Sequence, residues 1–158
     1  LFLTMSLSGC GALSAFSIIS NWTGMDDMSL VSHIETEDIG ITAALGANRD
    51  TPVALDIVGV SDEKMVQVLV KFDAKSWFLQ KDKFVHQSGF NINTFEVVPG
   101  QTIPIDVQYS WSDRRKYRAV FVFAKMLAPG LHHLRIDKFS KPIVVIGTNA
   151  IRVAEKQN

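Results

Sequence analysis

The chain has 158 residues, 47% of them hydrophobic, with sixteen basic and sixteen acidic side chains that cancel at neutral pH. A neutral chain offers no overall charge excess for nucleic acid or for docking on anionic lipid, and roughly 150 residues suit one domain with a real core rather than two. A single cysteine excludes an internal disulfide and the common Cys/His zinc sites.

That cysteine lies in Leu7-Ser8-Gly9-Cys10-Gly11. A leucine three positions before a cysteine, with small residues between them, is the pattern a lipoprotein signal peptidase accepts. Leu1 to Met25 carries no charged side chain and opens with Leu1, Phe2, Leu3, Met5 and Leu7, the make-up of a secretory hydrophobic region. The rival readings are a buried, inert thiol and an uncleaved membrane span, for which the serines and Gly9 and Gly11 make a poor helix. The lipobox reading divides the chain into a signal-peptide remnant (1–9), a lipidated tether and lead-in (10–47) and a β-sandwich domain (48–158), with a covalent lipid on Cys10. The lead-in shows no sustained periodicity, and Asp26 and Asp27 open a short predicted helix over Met28 to His33.

From Asn48 the pattern tightens. Val53 to Val60, VALDIVGV, is a short apolar run bounded by Thr51-Pro52 and Ser61-Asp62 and predicts a buried strand. Ser61 or Asp62 caps a helix in which Met65, Val66, Leu69, Val70 and Phe72 form one apolar stripe. Asp73 caps a second helical turn ending in Trp77-Phe78, a hydrophobic anchor. Beyond Gly89 the period becomes two, giving strands through Ile92 to Val98 and Ile103 to Tyr109 about a turn at Pro99-Gly100. Ser110 to Lys116 is polar and reads as a hairpin loop. Tyr117 to Met126, Leu131 to Ile136 and Ile143 to Ile146 are further strands, and Asn149 to Val153 extends or adds a last one. Five or six short strands joined mostly by tight turns, with one helical insertion after the first, predict a mainly β, two-sheet sandwich.

Little in this domain points to catalysis. Asp56 interrupts an apolar strand, which fits either a carboxylate with a raised pKa or, more commonly, one paired with a nearby arginine. His132 and His133, as strand neighbours, point to opposite faces and cannot share a metal without a bulge, and His33 and His86 have no acidic partner at ligand spacing. No nucleophile elbow, P-loop, HExxH or dinucleotide fingerprint occurs. The expectation is a non-enzyme with no metal and no cofactor. Arg114, Arg115, Lys116 and Arg118 lie between Trp111 and Tyr117. That cluster fits a solvated hairpin tip, a stacking platform for single-stranded nucleic acid or a protein interface, and in an exported protein the interface outranks nucleic acid.

A lipobox cysteine, a tether, TPVALDIVGV, a helical insertion ending in Trp-Phe, and then VVPGQ, VFVFAKM and APGLHHLRI resemble the TssJ family of type VI secretion systems. The resemblance runs from about Asn48 to Ile146. It implies a small outer-membrane lipoprotein with a transthyretin-like β-sandwich and an added helical element, which holds the secretion machine by binding the periplasmic part of a TssM-type inner-membrane protein. Gly11, rather than an aspartate after the lipidated cysteine, implies sorting to the outer membrane, and the family resemblance implies that the domain faces the periplasm. The family places partner contact on a loop between the early strands. With Val53 to Val60 as the first strand, the helical insertion displaces that loop. The candidate contact residues are then Trp111, Arg114 and Arg115 of the Ser110 to Lys116 turn, with Trp77 and Phe78 as a second set if their helix leaves them exposed. The alternative is a periplasmic binding module of similar fold, a pilotin-like chaperone or small-ligand carrier, which a deep apolar pocket with converging polar groups would favour.

Overall fold

The computed structural model describes residues 34–106 and 116–155. Two runs of the chain, 53–60 and 119–124, are apolar at nearly every position, and their surroundings explain why. Val53–Val60 (β2) and Ala119–Ala124 (β5) pair antiparallel at the centre of a sheet edged by Phe90–Val97 (β3) and His133–Arg135 (β6), in the order β3-β2-β5-β6. Both are covered on both faces, so neither shows the polar alternation of a half-exposed strand. Their inner faces, from Val53, Leu55, Ile57, Val120, Val122 and Ala124, enter the core between the two sheets. Their outer faces carry Val58, Val60, Phe121 and Phe123, which pack under the helical insertion.

The insertion consists of Glu63–Leu69 (α1) and Ala74–Gln80 (α2). Asp62 caps α1, accepting from the Lys64 and Met65 amides at 2.7 and 3.2 Å, and Asp73 caps α2, accepting from the Ser76 amide at 2.7 Å. Both caps fall where the sequence puts them. Val66, Leu69, Ala74 and Trp77 face the sheet, and a single turn at Lys81–Lys83 leads toward the edge strand Phe90–Val97 (β3).

The second sheet has the order β4-β1-β7-β8, from Thr102–Asp106 (β4), Asp38–Ala43 (β1), Pro142–Ile146 (β7) and Ile151–Glu155 (β8). β1 pairs antiparallel with β4 and parallel with β7. It corrects the expected boundary at residue 48, because a central strand of the sandwich lies inside the span read as lead-in. Its inner face is only Ile39, Ile41 and Ala43, and Gly40 and Thr42 interrupt them, so the period-two signal is three residues long. A Cβ on Gly40 would meet the Ile143 side chain of β7 at 3.4 Å, an ordinary van der Waals contact. The preceding residues are tied in as well. The Thr36 hydroxyl donates to a carbonyl of Ile136 or Phe139, each 2.9 Å away, and the Glu37 amide donates to the Ser140 carbonyl at 2.8 Å.

Eight strands are therefore present among the described residues, and the helical insertion follows the second of them. His133–Arg135 (β6) is shorter than the expected Leu131 to Ile136 because His132 takes a left-handed φ of 45°. The turn at Pro99-Gly100 forms as expected, with Gly100 at φ 83°. None of the described helices is long and apolar enough to cross a membrane. The predicted helix at 28–33 lies outside the described residues.

Candidate interaction surface

Strand directions sort the loops into two ends. β1 and β7 finish at the same end at which β2, β4, β6 and β8 begin, so this end collects the β1–β2 loop (44–52), the β3–β4 turn (98–101), the β5–β6 connection (125–132) and the β7–β8 turn (147–150). The other end receives the chain entering β1, and there the described flanks of the Ser110 to Lys116 loop, Asp106 and Lys116, also lie.

One buried residue knits the loop end together. Asn48 is held at φ 48° in a left-handed run with Arg49 and Asp50, each at 58°. Its amide nitrogen reaches the Thr51 and Pro52 carbonyls at 3.4 and 3.3 Å, and its Oδ1 accepts from the Leu127 amide at 2.7 Å. An Asn side chain tolerates this backbone better than most residues. It thereby locks the β1–β2 loop to the β5–β6 connection. The Lys125 amide adds a bond to the Ala54 carbonyl at 2.8 Å, and the Ala74 amide donates to the Leu131 carbonyl at 2.7 Å, joining α2 to the same connection.

On this scaffold stand apolar side chains that the fold leaves in solvent: Leu45, 88% exposed, Leu79, 75%, Leu131, 64%, and Leu127, 59%. Leu45 packs beside Gly100, whose neighbour Val98 is also exposed. Between α2 and the β5–β6 connection runs a groove of about 640 Å³, walled by Phe78, Leu79, Met126, Leu127, Ala128 and Pro129. Polar groups along it are largely engaged. The bond from Ser76 holds the Asp73 carboxyl below its usual range, and His132 Nε2 lies 2.7 Å from the Ala128 carbonyl oxygen. Lys75 and Lys125 border the groove, and neither forms an ion pair among the described residues.

Of the sequence candidates, Cys10, Trp111, Arg114 and Arg115 lie outside the described residues. Trp77 is fully buried, stacked on Phe123 at 4.8 Å and on Phe84 at 5.6 Å, so the exposure required of a contact residue is not met. Its neighbour Phe78 is half-buried in the groove wall. Asp56 is fully buried and accepts from Trp77 Nε1 at 2.8 Å, Lys81 Nζ at 3.0 Å and Thr94 Oγ1 at 2.6 Å. The paired-carboxylate reading of Asp56 is right in kind, with a lysine from the insertion in place of an arginine. His132 and His133 do not converge: His132 turns to Ala128, whereas burial holds the His133 imidazole below its usual pKa, against the opposing pull of Asp73. Among the described residues no three His, Cys, Asp or Glu side chains gather as a metal site. The exposed leucines escaped the sequence reading. Their one signal is Leu127 and Leu131 bracketing Pro129-Gly130, large apolar residues in a turn where solvent-facing positions are expected.

No family model matches the chain, and no curated protein does. Solved structures do. The type VI secretion lipoprotein TssJ1 from Pseudomonas aeruginosa matches with a TM-score of 0.56 at 13% identity, over 77% of this chain and 95% of that one. A chain of a type VI membrane complex matches with a TM-score of 0.60 at 14% identity, over 77% and 98%. A structure described as the type VI secretion protein TssM C-terminal domain from EAEC matches with a TM-score of 0.51 at 11% identity, over 76% and 98%. The fold is that of type VI secretion lipoproteins. At these identities the likeness is one of architecture, and it extends over nearly the whole of each matched chain.

Proposed function

We propose that this protein is a non-catalytic lipoprotein of a type VI secretion membrane complex, moored in the outer membrane by a lipid on Cys10 and binding the periplasmic part of a TssM-type inner-membrane protein. The observation that carries this reading is the match to TssJ1 over 95% of its length, joined to the lipobox in this sequence. The architecture supports it. Each buried methylene of a lipid anchor contributes ~0.8 kcal/mol, so several acyl chains hold firmly where one does not. The described chain enters β1 at one end of the sandwich, and Leu45, Leu127 and Leu131 stand in loops at the other, where a partner reaching across the periplasm would meet them.

Because β1 is the first strand among the described residues, the loop between the early strands is residues 44–52, carrying Leu45, and it precedes the helical insertion. This loop becomes the proposed contact at the leucine end; Trp111, Arg114 and Arg115, whose loop has its described flanks at the opposite end, stay a separate proposed contact, and Trp77 is withdrawn. The groove has the volume of a small-molecule pocket, but its lining offers few uncommitted polar groups to orient a ligand, which favours the scaffold over the carrier. The test is fractionation and mass spectrometry of cells producing the intact protein or Cys10→Ser. The expected result is an acylated Cys10 and outer-membrane recovery that Cys10→Ser abolishes. A free thiol at residue 10, or unchanged recovery of the variant, refutes the mooring.

A further inference from the structure

We infer that the groove between α2 and the β5–β6 connection is a second contact site for the same inner-membrane partner, receiving an apolar anchor flanked by carboxylates; the inference rests on the function proposed above. Three observations lead there. The groove is preformed, since its walls are fixed from both sides by Ala74 N to Leu131 O at 2.7 Å, Lys125 N to Ala54 O at 2.8 Å and Leu127 N to Asn48 Oδ1 at 2.7 Å. A site that needs no ordering on binding loses less entropy to association. Its lining holds Leu79 and Leu127 in solvent, an apolar surface that marks a contact site when it is contiguous and rimmed by polar groups.

The charge that remains available at the rim is positive. The Asp73 carboxylate is taken up by the Ser76 amide and lies beside Lys75, and the Lys125 ammonium forms no ion pair among the described residues. A carboxylate on the incoming segment would meet Lys125 while an aliphatic or aromatic side chain enters between Phe78 and Leu127. A small neutral ligand is a poorer occupant, because His133 Nδ1, the orphaned buried polar atom among the described residues, is not part of the lining. Through Asn48 the groove is also continuous with the β1–β2 loop, so one partner can engage Leu45 and the groove together.

The experiment measures affinity of the full chain for the purified periplasmic part of the TssM-type protein, at low and high salt, for the unaltered protein and for Leu127→Asp, Lys125→Glu and Leu45→Asp, with thermal melts as folding controls. Leu127→Asp is expected to weaken binding at least tenfold, and Lys125→Glu at least threefold with a flatter salt dependence, both with melts unchanged. If the unaltered chain binds and Leu45→Asp weakens it while both groove variants bind within twofold, the groove site is refuted and the proposed function stands. If the unaltered chain does not bind, the proposed function itself fails and takes the groove site with it. Self-association in sedimentation that Leu127→Asp abolishes, with partner binding intact, assigns the groove to a second copy and refutes the inference.

Discussion

Replacing Asp56 with alanine removes the one acceptor shared by three donors from separate elements: Trp77 Nε1 of α2, Lys81 Nζ just beyond it and Thr94 Oγ1 of β3. The Thr94 hydroxyl can rotate to another acceptor, and the Lys81 side chain, 25% exposed, can turn toward water. The indole N–H cannot, because Trp77 is fully buried between Phe123 and Phe84. An orphaned buried donor costs about 1–3 kcal/mol, and breaking a buried charged network from one side costs about 3–5 kcal/mol. With part of the lysine penalty relieved by solvent, Asp56→Ala should cost about 3 kcal/mol, a large share of the roughly 5–15 kcal/mol that holds a domain of this size. Lys81→Met leaves the fully buried carboxylate with only the neutral Trp77 and Thr94 donors, so it should cost a similar amount, about 3 kcal/mol. Urea unfolding followed by circular dichroism measures both, and the double variant should lose at least about 1 kcal/mol less than the sum of the two. A loss below about 1 kcal/mol for Asp56→Ala, or strict additivity with Lys81→Met, would refute the account of the network as the rivet between insertion and sheet.

Asn48→Ala removes the bond to Leu127 and strains a left-handed backbone, so it should cost about 2 kcal/mol and speed exchange of the Leu127 amide, whereas Asn48→Gly should relieve the backbone part. Trp77→Ala should cost about 3–5 kcal/mol in urea unfolding by opening the aromatic stack under α2. The His133 imidazole, held below its ordinary pKa by burial, stays neutral in the fold while the unfolded chain takes up a proton below about pH 6.5. Stability should therefore fall as pH drops through the low sixes and fives, and His133→Phe should flatten that slope in melts taken across the range. Asp73 has the opposite signature. Its lowered pKa contributes stability above the unfolded value of 3.8 that disappears as pH falls through the folded one, and Asp73→Asn should remove that acid-side component.

What could be read from the sequence was what is local. The caps at Asp62 and Asp73, the turn at Pro99-Gly100 and the strand at 53–60 rest on neighbouring residues and came out as expected. β1 did not, because Ile39, Ile41 and Ala43 become a strand only when β4 and β7 flank them, and both partners lie about sixty or more residues further on. The same reason hid the partner of Asp56, a lysine that only the return of α2 over β2 brings within 3.0 Å. Trp77-Phe78 was readable as an anchor, but which ring faces the sheet and which the groove depends on how α2 sits on Phe123. The leucines at 45, 127 and 131 occupy loops, and their gathering at one end follows from strand direction rather than from any motif.

The central claim is that this chain physically couples an outer-membrane lipid anchor to an inner-membrane partner. Vesicles loaded with the lipidated protein and mixed with the partner's soluble periplasmic part test it in one flotation. The partner should rise with vesicles carrying the intact protein and stay in the load with vesicles exposed to Cys10→Ser. A partner that remains in the load in both cases, or rises equally in both, would contradict the account.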